Sequence, residues 1–216
     1  MPGRPPDVDP DILQGDLTEE RLHAYLSSAE LAVDTETLGL KPLRDRLCLV
    51  QLCDRSRLAT LVRIPRLTCA QPSPAPRLTR LLEAAGVLKV FHFARFDVAT
   101  LKHHLGIEVA PLFCTRIASK LARTYTDRHG LKEIALELLD VEMDKNARHT
   151  DWSAETLTPE QIRYAISDVT MLLPLMDRLR GMLEREGRLG LASACFGAVP
   201  TLASLDLLGY DDLFAH

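Results

Sequence analysis

The sequence is short of several things that would have assigned it a class at once. No apolar run comes near the roughly 18 residues of a membrane-spanning helix. The opening MPGRPPDVDPDI has neither the charged n-region nor the apolar h-region of a signal peptide, so a cytoplasmic protein is expected. Five cysteines (Cys48, Cys53, Cys69, Cys114, Cys195) are odd in number, scattered and without CxxC spacing. That excludes a disulfide framework and a zinc site, and leaves reduced, mostly buried thiols. There is no surplus of positive charge: the net charge is −4, which argues against a protein that coats long duplexes by charge alone. No internal repeat occurs, and no low-complexity tract beyond the proline-rich stretch 66–77.

What is present suits one domain. The chain has 216 residues, 46% apolar and 26% charged, the proportions of a globular protein with a sizeable core. Residues 1–15 hold four prolines and few large apolar groups, and are expected to form a flexible arm. The catalytic domain is expected over 16–190, with 191–216 as a C-terminal tail. Residues 17–28 form a short helix capped by Thr18 on this pattern. Strand patterns follow at 31–36, 47–53 and 58–64, separated by short polar breaks that suggest an antiparallel meander. After the proline-rich loop come a helix near 77–85, a buried strand over 87–92 and a helix from Ala94 to Gly106. Beyond that the pattern is helical, at 115–123, 131–139 and from Thr158 onward. The expected fold class is α/β, with a mixed sheet of an antiparallel meander followed by parallel strands, flanked by helices.

Three segments carry chemistry. In LAVDTETLGL, side chains two apart on a strand share a face, so Asp34 and Glu36 point together. Two buried carboxylates repel, and a divalent cation removes the conflict. A polar strand end accounts for the pair equally well when it is taken alone. In VFHFARFDVATL, Asp97 falls in the first turn of a helix, where the helix dipole also favours an acid. His92 and Phe93 stand at the same strand exit, facing a substrate cleft or, for the histidine, filling a structural role. In TPEQIRYAISDVTMLL, Thr158, Pro159 and Gln161 make a capping-box start. Tyr164 and Asp168, four apart, then share the edge of the apolar stripe. Pro174 is expected to break or kink this helix.

The order D-x-E, then D, then Y-x-x-x-D resembles the tyrosine-bearing form of the DEDD superfamily of 3′–5′ exonucleases. The resemblance is to the ribonuclease D branch, and within it to the nano-RNase C type, over roughly residues 30–185. RDRLCLVQL, FHFARFD, TYTDRHGLKE and TDWSAETLTPEQIRYA carry it beside the acids. It implies a ribonuclease H-like (DnaQ-like exonuclease) sheet, with Asp34, Glu36, Asp97 and Asp168 holding two divalent cations, Mg²⁺ or Mn²⁺. It implies that Tyr164 orients or helps to deprotonate the attacking water, and that nucleoside 5′-monophosphates leave the 3′ end. Leu40 resembles the leucine that wedges against a terminal base, beside Thr37. Arg128, His129 and Lys132 form a basic cluster for a substrate phosphate, or a solvated surface. About thirty residues follow the last helix, which favours short single-stranded RNA, with short DNA as a side activity. A tRNA-trimming or DNA-directed exonuclease is the alternative. Members of this type form closed rings, so a homo-oligomer, an octamer with the apolar tail (Leu202, Leu205, Leu207, Leu208, Phe214) contributing, is expected, with a tail folded back on its own core as the alternative.

Overall fold

The computed structural model describes residues 2–66, 74–143, 150–210 and 213. A first strand β1 (Asp11–Gln14) leads through α1 (Glu19–Leu26) into β2 (Glu30–Thr37), β3 (Leu47–Asp54) and β4 (Ala59–Arg63). Then follow α2 (Pro76–Leu82), β5 (Leu88–Phe91), α3 (Ala94–Leu105), β6 (Leu112–Cys114), α4 (Thr115–Ala122) and α5 (Leu131–Leu139). Two long helices, α6 (Pro159–Arg185) and α7 (Leu189–Leu207), complete the order.

The strands form one sheet in the order β1-β4-β3-β2-β5-β6. The β2–β3–β4 meander is antiparallel, as its short polar connections require, while β5 and β6 add to β2 in parallel. All eight residues of β3 are buried, because helices cover both faces of the central sheet. The core runs from Leu31, Val33, Leu49 and Val50 on the sheet to Ala165, Val169, Leu172 and Leu179 on α6.

Several sequence expectations change here. The segment 1–15 is not a loose arm throughout, because Asp11–Gln14 pairs in parallel with β4. That pairing satisfies the outer edge of β4, which would otherwise present open backbone groups. Asp16 then accepts from the backbone N–H groups of Arg77 and Leu78 at 3.0 and 2.9 Å, capping α2 from a distance. β6 was hidden in a region that reads as helical. The proline-rich loop lies largely outside the described residues, as do Cys69 and Phe214. Cys48, Cys53 and Cys114 are buried and Cys195 is partly so.

Pro174 neither ends nor divides α6, which continues to Arg185 with the proline on its exposed face. The segment from 189 is a helix rather than a tail: Ala192, Phe196, Val199 and Ala203, at spacings of four, three and four, bury against α3, α4 and β6. This helix has 19 residues with a mean hydropathy of 1.3, long and apolar enough to cross a membrane by length and composition alone. The absence of any such run, expected from the sequence, therefore does not hold.

Candidate active site

The site is built at the C-terminal end of β2, the strand with β3 on one side and β5 on the other. The period of two puts Asp34 and Glu36 on one face, and α6 packs across that face. Thr158 caps α6 with its side chain on Gln161 N at 3.2 Å, and the Gln161 side chain returns to Thr158 N at 2.8 Å. The Gln161 amide also donates to Thr150 Oγ1 and Asp151 O, tying the segment that carries Trp152 to the helix start. One turn on, Tyr164 meets buried Trp152 with ring centres 6.1 Å apart. One turn further, Asp168 reaches the strand acids. Carboxylate oxygens of Asp34, Glu36 and Asp168 lie within 4.8 Å of one another.

Asp97 arrives from the other side of β2. Phe93 holds a left-handed backbone, φ 66° and ψ 42°, between β5 and α3. For a residue with a Cβ this costs roughly 1–2 kcal/mol. The turn places Asp97 in the first turn of α3, 4% exposed, where its Oδ1 accepts from Thr35 Oγ1 at 2.6 Å. Asp97 is not within the tight three-acid group but acts on it: it is the strongest of the charges that oppose ionisation of Asp34.

The electrostatics describe a site short of positive charge. Burial first, then Asp97, Asp168 and Glu36, hold the Asp34 carboxyl well above the usual carboxylate range. Burial pushes Asp97 up to about 7, against the pull of the Thr35 hydrogen bond. Burial, the three nearby acids and its hydrogen bond to Asp168 raise the Tyr164 phenol, so it keeps its proton. A phenol held this way serves as an orienting group, not as a free base. Hard carboxylate oxygens from two elements, converging where their mutual repulsion is strongest, are the donor set that suits Mg²⁺ or Mn²⁺.

The expected substrate residues separate into those near the acids and those engaged elsewhere. Lys132, at the start of α5, brings Nζ to 5.8 Å from the centre of the Tyr164 ring. His129 instead turns to Ser119 Oγ at 2.9 Å, and Arg128 is exposed, its carbonyl held by Arg123 Nη1 at 2.7 Å. Thr37 bonds Gly39 O and so shapes the turn that carries Leu40, which is 78% exposed. Thr115 Oγ1 donates to Phe91 O and accepts from His92 Nδ1 at 2.9 Å. Burial, with the nearby Arg116 charge adding to it, takes the His92 imidazole down to about 3, so the ring is neutral. Phe93 is 48% exposed, with the Arg116 guanidinium 4.8 Å from its ring centre. Arg123 was missed by sequence reasoning. It is fully buried and binds Ser119 Oγ, Arg128 O and Glu137, fixing the loop between α4 and α5. No spacing signal marks it among the other arginines.

A family model described as 3′-5′ exonuclease matches residues 12–184. The chain belongs to this 3′–5′ exonuclease family. Ribonuclease D of Acidiphilium cryptum is 36% identical over 159 residues, 74% of this chain and 39% of the relative. That of Zymomonas mobilis is 33% identical over 178 residues, 82% of this chain and 44% of the relative. The chain thus spans less than half the length of these relatives. Among solved structures, Brucella melitensis NrnC bound to pGG is 46% identical with a TM-score of 0.89, covering 97% of this chain and 100% of NrnC. NrnC with bound Mg²⁺ gives 46% and 0.86, over 95% and 98% of the two chains. Escherichia coli RNase D, at 24% identity and a TM-score of 0.77, covers 91% of this chain and 51% of that one, and shares the fold. The ribonuclease H-like sheet expected from the sequence is the fold found.

Proposed function

We propose that this exonuclease shortens single-stranded RNA fragments a few nucleotides long from their 3′ ends, releasing nucleoside 5′-monophosphates. The observation that carries the reaction is the convergence of Asp34, Glu36 and Asp168 within 4.8 Å beneath the Tyr164 hydroxyl. The substrate class rests on similarity over both whole chains to an NrnC bound to pGG.

Asp34, Glu36, Asp97 and Asp168 would hold two divalent cations, whose charge would offset that developing on the scissile phosphodiester. The chain's own groups do the rest. Tyr164 donates a hydrogen bond to Asp168 while keeping its proton, and its oxygen lone pair would accept a hydrogen bond from the attacking water and aim the water oxygen at phosphorus. The new P–O bond forms as the bond to the 3′ oxygen of the preceding nucleotide breaks. That oxygen leaves as a hydroxyl, and no covalent enzyme intermediate forms. Lys132 adds a positive charge beside Tyr164, on the side where a substrate phosphate enters. Leu40 and Phe93, exposed apolar groups at the rim, offer packing and stacking surfaces for the terminal bases. Thr37, His92, Arg128 and His129 complete the set of proposed substrate contacts.

A homo-oligomer, an octameric ring by resemblance, belongs to the same proposal. The outer side of α7 and the chain beyond it expose Leu191 (57%) and Leu208 (73%), apolar surface that a second copy would cover. The alternative substrate is a tRNA 3′ end trimmed by a ribonuclease D-like enzyme, in keeping with the relatives that bear that name, or a DNA 3′ end. A length series of 5′-labelled RNA and DNA, two to twenty nucleotides, separates the two. Turnover highest on the shortest RNA supports the proposal. Dinucleotides that accumulate uncut sink it while sparing the chemistry.

A further inference from the structure

Gln51 sits in the middle of β3, directly across the antiparallel ladder from Asp34. Opposed residues share a face and bring their Cβ atoms to about 4.5–5.5 Å, inside the reach of a glutamine side chain. Gln51 therefore lies on the acid-bearing face, beneath α6. It is fully buried, and neither its amide nitrogen nor its amide oxygen finds a hydrogen-bond partner among the described residues. Each such atom costs roughly 1–3 kcal/mol when left unmade. Its neighbours along that face, Leu49 and Cys53, are apolar, so packing alone would be better served by leucine or methionine.

From this we infer that Gln51 is a positioning residue for the metal-binding state. With the site loaded, the Gln51 amide N–H would donate to the Asp34 carboxylate across the ladder and fix its orientation. An amide suits this role because its N–H groups donate to a carboxylate oxygen without adding a charge of their own. Groups that orient a ligand in this way typically change metal affinity by roughly 10–100-fold when removed. The inference rests on the nuclease reading of the acids and adds one residue to it.

The test compares wild type with Gln51→Met, which keeps size and burial and removes the amide. Titration calorimetry with Mn²⁺ and with Mg²⁺ reads affinity without turnover, and melting in chelator reads the fold. The expected result is a loss of roughly 10–100-fold in metal affinity, with a metal-free melting temperature at or above that of wild type. Affinities within twofold of wild type overturn the inference. Should the variant fail to fold, the wild-type protein decides: the Gln51 side-chain NH₂ resonances shift on adding Mg²⁺ if the inference holds, and stay in place if it does not. Wild type that binds neither ion defeats the nuclease reading itself. Wild type that binds them alongside an unimpaired variant defeats this inference alone.

Discussion

Replacing Asp97 with Asn should stabilise the metal-free protein above neutral pH, although it removes one of the four proposed metal ligands. Burial holds the Asp97 carboxyl up to about 7, while in the unfolded chain it titrates near 3.8. Between those values the folded state keeps a proton that the unfolded state has lost. The stability contributed by that proton is complete below pH 3.8 and is lost as pH rises through about 7. From pH 5 to pH 7 the loss runs at 1.36 kcal/mol per unit, up to about 3 kcal/mol. For a domain of this size that is a drop of roughly 5–10 °C in melting temperature. Asp97→Asn still offers Thr35 an acceptor oxygen but cannot ionise, so its share of the drop disappears. Asp34 is raised in the same direction and steepens both curves, so the quantity to compare is the difference between the two pH slopes. Calorimetric melts in chelator at pH 5, 6, 7 and 8 measure it. The variant's advantage over wild type should already be present at pH 5 and should widen by up to about 3 kcal/mol by pH 7, then level off at pH 8. Parallel curves, or a variant that melts lower at pH 8, would refute the assignment of the site's strain to buried carboxylate charge. Saturating Mg²⁺ should reverse the wild-type trend, because metal binding releases protons and so strengthens as pH rises.

Other perturbations probe single roles. Tyr164→Phe removes only the hydroxyl, so turnover on labelled RNA should fall roughly 10²–10⁴-fold while metal affinity by calorimetry stays close to wild type. Leu40→Ala touches an exposed side chain, so stability should move by no more than about 0.5 kcal/mol while KM for short RNA rises and kcat holds. Phe93→Gly relieves the left-handed backbone and should gain about 1 kcal/mol of stability by denaturant titration, at the expense of affinity for short RNA. Arg123→Ala leaves Glu137, 41% exposed, to solvent but takes the buried donor from the Arg128 carbonyl, and should cost roughly 1–3 kcal/mol, read as a lowered denaturant midpoint.

Much of the site was legible because its placement follows from local rules. The period of two on β2 pairs Asp34 with Glu36, and the spacing of four on α6 pairs Tyr164 with Asp168; both pairings stand in the structure. The capping box at Thr158 and Gln161 is present as read, since it depends only on neighbours in sequence. What escaped depends on distant partners. Asp11–Gln14 becomes a strand because β4 offers an open edge, which nothing within DILQ announces. Leu112–Cys114 is three residues long and gains its strand character from β5. The segment from 189 reads as a tail because its buried stripe uses small residues, Ala192 and Ala203, beside Phe196 and Val199. Pro174 is tolerated because it faces outward. Arg123 and Ser119 hold the loop that carries Arg128 and His129, through contacts that no local pattern announces. His92 points to Thr115, a bond set by where β5 meets α4.

The central claim is that four carboxylates and a tyrosine form one metal-dependent hydrolytic site. Its most direct test is the product released from a 5′-labelled RNA trinucleotide by purified protein with Mn²⁺, with Mg²⁺ and with chelator, beside Asp34→Ala. The account predicts nucleoside 5′-monophosphate with either ion, none with chelator and none from the variant. Mononucleotide release that persists in chelator, or that Asp34→Ala sustains at the wild-type rate, would contradict it.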